Sequence, residues 1–203
     1  MKSPQILFVT GTDTGVGKTV FAALATIYLR QNGFRVAALK PICSGGRDDA
    51  RVLHAASGKI LSLDEVNPWH FRAALAPVLA ARKEKQRVRL REVVARIRQV
   101  VDLFEVVVVE GAGGLLSPMG EDFDSRDLIK ALGATPILVC PNKLGAVNQV
   151  RLVLEALPGR ARRHARVVLV NPEKPGGASR TNLALLQEFV AARRLRVLPW
   201  VKV

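Results

Sequence analysis

Residues 11–19, GTDTGVGKT, follow directly on the apolar run Ile6, Leu7, Phe8, Val9, and no other feature restricts the possible folds of this chain so strongly. An apolar strand, a glycine-rich turn and a Lys-Thr pair, in that order, build one wall of a nucleotide phosphate site. Gly15, Val16 and Gly17 let successive backbone N–H groups turn inward, because glycine accepts positive φ and has no Cβ to obstruct phosphate oxygens. Lys18 is then expected over the β- and γ-phosphates and the Thr19 hydroxyl on Mg²⁺, with the positive end of the following helix facing the ligand. The strict pattern GxxxxGK(S/T) is missed by one place, since Thr12 stands where the first glycine belongs and Gly11 comes one residue early. Context compensates. Phe21, Ala22, Leu24, Ala25, Ile27, Tyr28 and Leu29 give the next segment a helical apolar face that runs to a stop at Asn32-Gly33. Binding of ATP or GTP is the expectation.

At 203 residues the chain has the length of one α/β domain, and a single domain over residues 1–203 is expected. No uninterrupted apolar stretch reaches membrane-spanning length and the start MKSPQ lacks a signal-peptide layout, so a soluble cytoplasmic protein without membrane association is expected. Cys43, read as a loop residue, and Cys140, ending an apolar strand, have no metal-ligand spacing and are expected as reduced thiols. Lys and Arg outnumber Asp and Glu by 31 to 17, a net charge of +14 that raises the question of nucleic acid. The excess sits in residues 82–98, 160–166 and 193–196 without the interleaved aromatics that stack bases, which favours solvated helix faces over a specific nucleic-acid site.

Periodicity places strands at residues 6–10, 35–39, 106–110, 136–140, 166–170 and 196–198. Helical patterns occupy 19–31, 48–56, 73–83, 90–103, 125–132, 146–157 and 181–194, and residues 172–179 (PEKPGGAS) read as a surface loop. Several strands are continuous apolar runs, as when helices cover both faces of a parallel sheet. The sequence therefore predicts a three-layer α/β/α sandwich with a mostly parallel central sheet, similar to a P-loop NTPase.

In such a sheet, ligands gather at the carboxyl ends of the strands. Glu110 ends the run VVVV and would bring a carboxylate to the nucleotide, and the adjacent GAGG is read as leaving space for a ligand. With Thr19 and either Asp48 or Asp49 it would complete a hard, oxygen-lined Mg²⁺ site, the other aspartate capping the helix that begins there. Lys40, at the tip of a neighbouring strand, is placed to stabilise the charge of a transferring phosphoryl group. Gly145 opens a further helix whose N-terminus suits a substrate carboxylate, although plain capping explains a glycine there equally well. His54, His70 and His164 share no evident site.

GTDTGVGKT, KPICSGG with its downstream aspartate, VNPWHF at 66–71, VVVVEGAGGLLSP at 106–118 and NKLGAVNQ at 142–149 together resemble, in the same order, the motifs of the dethiobiotin synthetase family. The resemblance implies a homodimeric, Mg-ATP-dependent ligase that carboxylates 7,8-diaminopelargonic acid with CO₂ or bicarbonate and closes a ureido ring. It implies that Gly15, Val16, Gly17, Lys18, Thr19 and Val20 hold ATP, and that Lys18 and Lys40 hold phosphate and carbamate charge. Thr14 and Ser44 would donate hydrogen bonds near the carbamate, and Thr19, Asp49 and Glu110 would hold Mg²⁺. Asp49 is favoured over Asp48 because the family's aspartate precedes a small residue, here Ala50. Residues 143–148, including Gly145, Ala146, Val147 and Asn148, would present N–H groups to the substrate carboxylate across the dimer interface. Asn171, Pro199 and Trp200 resemble the family's adenine-contacting positions.

The segment 74–81 departs from the family's SPHxAA pattern, with Ala76 for Ser and Val78 for His, and the chain ends three residues after Trp200, where many relatives continue into a further helix. These departures leave room for a paralogue with the same ATP machinery and another second substrate. A partition-type ATPase switch is a rival reading, but its signature Lys five residues before the P-loop Lys is Asp13 here. A GTP-binding switch would need an aspartate at Gly145 to complete NKxD, so adenine is favoured.

Overall fold

Chain order in the computed structural model, which describes residues 4–202, explains how distant motifs meet. The elements are β1 (Gln5–Gly11), α1 (Lys18–Gln31), β2 (Val36–Leu39), β3 (Ile42–Ser44), α2 (Asp48–Ala56), α3 (Leu63–Val66) and β4 (Trp69–Phe71). There follow α4 (Pro77–Lys83), α5 (Leu90–Val101), β5 (Val106–Gly114), α6 (Ser125–Leu132), β6 (Thr135–Pro141), α7 (Ala146–Ala156) and α8 (Gly159–His164). The chain ends with β7 (Arg166–Val170), α9 (Gly177–Gln187), a 3₁₀ turn at Ala192–Arg194 and β8 (Leu195–Leu198).

Six strands pair in the order β2-β5-β1-β6-β7-β8, every neighbour parallel. The connection β1-α1-β2 steps one way across the sheet and β5-α6-β6 the other, so right-handed crossovers put α1 and α6 on opposite faces. This is the three-layer sandwich expected from the sequence. Val107, Val108 and Val109 in β5 are fully buried, which accounts for strands that read as unbroken apolar runs. β1 lies between β5 and β6, the point where the winding reverses, and its carboxyl end opens into the glycine-rich loop.

The structure differs from the sequence reading in several elements. β3 and β4 form a separate two-stranded parallel sheet that was not expected, and it places Cys43 in a buried strand rather than a loop. The helix expected at 73–83 starts only at Pro77, where proline at the first position fits a helix that lacks a side-chain cap. The one expected at 181–194 is instead α9, which begins at Gly177 inside the supposed loop and gives way to the 3₁₀ turn. α3 and α8 were too short to show a period. β5 runs to Gly114: Val9 faces Glu110 and Gly11 faces Gly114, so the strand bulges between these pairs.

Candidate active site

The loop after β1 bends at two glycines, Gly15 with φ 70° and Gly17 with φ 95°, the latter serving as N-cap of α1. Lys18 folds back over this loop, and its Nζ donates to the Asp13 carbonyl at 2.7 Å. Burial, then repulsion from Lys40, lowers the Lys18 pKa below the ordinary lysine value, against the pull of Glu110, Asp49 and Asp13.

Glu110 and Lys40 meet in the interior, with side chains 1% and 4% exposed. Lys40 Nζ donates to Glu110 Oε1 at 2.6 Å and to the Gly111 carbonyl at 2.9 Å, and lies 3.3 Å from Asp49 Oδ2. Burial pulls its pKa down, but the two carboxylates outweigh that and hold it above the ordinary lysine value. The Thr19 hydroxyl donates to the same Glu110 oxygen at 2.9 Å, while Glu110 Oε2 is buried with no hydrogen-bond partner among the described residues. A buried, orphaned carboxylate oxygen is costly unless something outside the chain uses it.

The two candidate aspartates separate clearly. Asp48 points to solvent and pairs with Arg51, whereas Asp49 faces Lys40. Neither caps α2: the N-cap is Arg47, without a side-chain cap bond. Of GAGG, Ala112 and Gly113 line the cavity described below, and the glycines also face the chain's own side chains. A Cβ on Gly111 would stand 2.7 Å from Ser125 Oγ, and one on Gly113 would stand 2.5 Å from Ser117 Oγ. Gly111 and Gly113 therefore also make room for the chain's own side chains.

Lys18, Thr19, Lys40, Asp49 and Glu110 line one cavity of about 840 Å³, together with Thr14, Gly15, Ser44 and Ala76. Thr14 is exposed at its edge, its N–H bound to Asp13 Oδ1. Ser44 is not a free donor, because its hydroxyl proton goes to the Leu75 carbonyl at 2.6 Å. Val78 packs in the interior. Across the glycine loop lies a second cleft of about 300 Å³, lined by Gly17, Val20, Asn171, Pro199 and Trp200. Its apolar walls suit a nucleobase.

Gly145, Ala146, Val147 and Asn148 line neither cavity. Gly145 caps α7 at φ 88°; it, Leu144 and Asn148 are exposed, whereas Ala146 is buried and Val147 packs partly against the core. Sequence reasoning assigned no role to Asn67, which is buried and donates to the Lys40 carbonyl at 2.7 Å, to the buried Asn142, which lines the second cleft, or to the buried Asn182, which donates to Asn142 at 2.9 Å. A polar residue four places before the buried Leu186, on the inward stripe of a helix, was the available signal for Asn182.

A family model described as an AAA domain matches residues 5–203. The ATP-dependent dethiobiotin synthetase BioD of Anaeromyxobacter dehalogenans is 40% identical over 200 residues, covering 96% of this chain and 89% of the relative. That of Akkermansia muciniphila is 38% identical over 182 residues, covering 89% and 85%. Among solved structures, a ParA family ATPase from Chlorobium tepidum superposes with a TM-score of 0.62 at 13% identity, covering 98% of this chain and 85% of the other. The signal recognition particle receptor FtsY of Elizabethkingia anophelis gives 0.56 at 16% identity, covering 97% and 58%. At those identities the likeness speaks for the P-loop fold alone. The identities to the two synthetases extend over 89% and 96% of this chain, and the chain belongs to the ATP-dependent dethiobiotin synthetase family.

Proposed function

We propose that this chain is itself an ATP-dependent dethiobiotin synthetase, a one-domain cytoplasmic enzyme acting as a Mg²⁺-dependent homodimer. The observation that carries the reading is the arrival of two buried lysines, Lys18 after β1 and Lys40 after β2, beside Glu110 from the strand between them, in one cavity that adjoins the base cleft. Two cations in a water-poor site suit a reaction that moves a phosphoryl group onto a weakly nucleophilic carbamate.

In the reaction proposed, one amine of 7,8-diaminopelargonic acid adds to CO₂ and loses a proton, giving a carbamate. A carbamate oxygen attacks the γ-phosphorus of ATP, the bond to the β–γ bridging oxygen breaks, and ADP leaves. The second amine then attacks the carbamoyl carbon of the mixed anhydride, phosphate departs with the C–O electron pair, and the ureido ring closes. Lys18 binds the β- and γ-phosphate charge, and Lys40 offsets charge on the carbamate and the transferring group. The loop N–H groups orient the triphosphate, so the chain contributes alignment and charge rather than a covalent nucleophile.

The Thr19 hydroxyl, Asp49 and Glu110 are hard oxygen donors, and the unpartnered Glu110 Oε2 fits a cation ligand. They would hold Mg²⁺, which supplies charge neutralisation at the phosphate oxygens. Gly145, Ala146, Val147 and Asn148, at the start of α7, would serve the substrate carboxylate of the partner subunit through their backbone N–H groups.

Incubation with Mg-ATP, bicarbonate and 7,8-diaminopelargonic acid tests the reading. Diamine-dependent ADP release with a product of dethiobiotin mass is expected, and a Glu110→Gln variant should need more Mg²⁺ for half-maximal rate. ATP binding without diamine-stimulated turnover would point to another second substrate, and an unaltered metal titration would remove Glu110 from the metal site.

A further inference from the structure

Three asparagines at the base cleft form a chain of amides whose polarity is fixed by two backbone carbonyls. Asn142, buried just after β6, donates through Nδ2 to the Ser179 carbonyl at 2.8 Å and to Asn171 Oδ1 at 2.7 Å. Its Oδ1 accepts at 2.9 Å from Nδ2 of Asn182, whose other proton goes to the Lys143 carbonyl at 2.9 Å. Amide nitrogen and oxygen are distinguished by such networks, and here two backbone carbonyls, which only accept, decide the assignment. Nδ2 of Asn182 must face Lys143, Nδ2 of Asn142 must face Ser179, and the atom of Asn171 that meets Asn142 must be its oxygen.

Asn171 is held at the end of β7 by its own N–H to the Leu198 carbonyl at 2.9 Å, and it lines the base cleft. Its Oδ1 keeps a second lone pair, and its Nδ2 has no hydrogen-bond partner among the described residues. An asparagine with oxygen and nitrogen fixed in this sense pairs with adenine, accepting from the N6 amino group and donating to N7. Hypoxanthine and guanine put an acceptor, O6, where adenine has its amino group, and would oppose oxygen to oxygen.

We propose that Asn182 and Asn142 are positioning residues that prevent Asn171 from flipping its amide and thereby select adenine over 6-oxopurines. The proposal rests on the reading of this cleft as the base site. Asn182→Asp makes the sharpest change, because a carboxylate can only accept. It offers no proton to Asn142 Oδ1, favours rotation of that amide, and so favours the opposite sense at Asn171. Asn182→Leu, of similar volume, removes the far-end donor but leaves the Ser179 carbonyl to orient Asn142, and so serves as the control for packing.

The experiment is displacement of a fluorescent ribose-labelled ADP from the full-length protein by ADP and by IDP, which differ at the six-position of the base. ADP should bind wild type at least about tenfold more tightly than IDP, the value of one pairing made against one left opposed. In Asn182→Asp that ratio should fall to within about threefold while Asn182→Leu keeps most of it, whereas a purely structural residue would weaken both ligands alike in either variant. A wild-type ratio near one, or a ratio unchanged in Asn182→Asp, overturns the relay while leaving the nucleotide site intact. Failure of wild type to bind the labelled ADP overturns the site reading as well. The wild-type comparison stands even if a variant does not fold.

Discussion

Lys40 Nζ sits 2.6 Å from Glu110 Oε1 and 3.3 Å from Asp49 Oδ2, so one buried ammonium joins carboxylates delivered by β5 and α2. Held this way, Lys40 serves the fold as well as the proposed chemistry, since it neutralises a glutamate that has no other cation at that distance among the described residues.

Removing Lys40 should therefore cost stability as well as turnover. Lys40→Ala leaves Glu110 charged and unpaired, a loss of roughly 3–5 kcal/mol for a buried pair. The double variant Lys40→Met, Glu110→Gln should recover most of that stability and none of the activity. Urea unfolding and phosphate release on the same samples check both; equal stability of wild type and Lys40→Ala would deny the pair its structural role.

Lys18 should behave in the opposite way. Its lowered pKa means that the folded state binds its proton less tightly, so the charged form opposes folding at pH values below that pKa. Lys18→Met should leave the melting temperature without nucleotide unchanged or higher. It should also abolish the rise that saturating Mg-ADP gives wild type, about 2.7 kcal/mol at a hundredfold excess over Kd. A thermal shift assay with and without Mg-ADP reads both effects.

Asn67 holds the backbone beneath Lys40, donating to its carbonyl at 2.7 Å and to the Trp69 carbonyl at 3.2 Å, while its Oδ1 accepts from Arg47 Nε at 3.0 Å. Asn67→Ala strands these groups and should lower stability by about 1–3 kcal/mol. Because it acts through Lys40, kcat should drop about tenfold with KM for ATP nearly unchanged. A rise in KM with kcat intact would place its effect on nucleotide binding instead.

Cys43 provides a pH signature. Burial raises its thiol pKa to about 11, above the unfolded value, so the stability it contributes is complete below pH 9.0 and is lost as the pH rises through about 11. The stability gap between wild type and Cys43→Ala should shrink by roughly 2–3 kcal/mol over that window. At pH 8 the native protein should leave Cys43 unalkylated by iodoacetamide, which mass spectrometry would read directly.

The sheet and the phosphate loop were legible because both are written locally: apolar runs such as Val106 to Val109 have no other use, and glycines at positive φ flank Val16. Local reading also found Lys40 and Glu110, but not that they bind each other, since they lie seventy positions apart. The β3–β4 pair escaped for the same reason, with three residues in each strand and α2 and α3 between them. Ser44 shows the converse limit, because its hydroxyl is engaged by Leu75 from a segment whose sequence read as helix.

The strand order has a consequence for synthesis of the protein. β1 and β2 emerge first yet never touch, because the place between them belongs to β5. A nascent chain that ends before Val106 carries both lysines and the whole glycine loop but lacks the central sheet to mount them on. Its two exposed apolar strands must wait for a third to arrive, as expected of a topology rich in distant pairings. Ribosome-stalled chains released at successive lengths should first resist protease only after β5 has cleared the exit tunnel, so nucleotide could not act as an early template for folding.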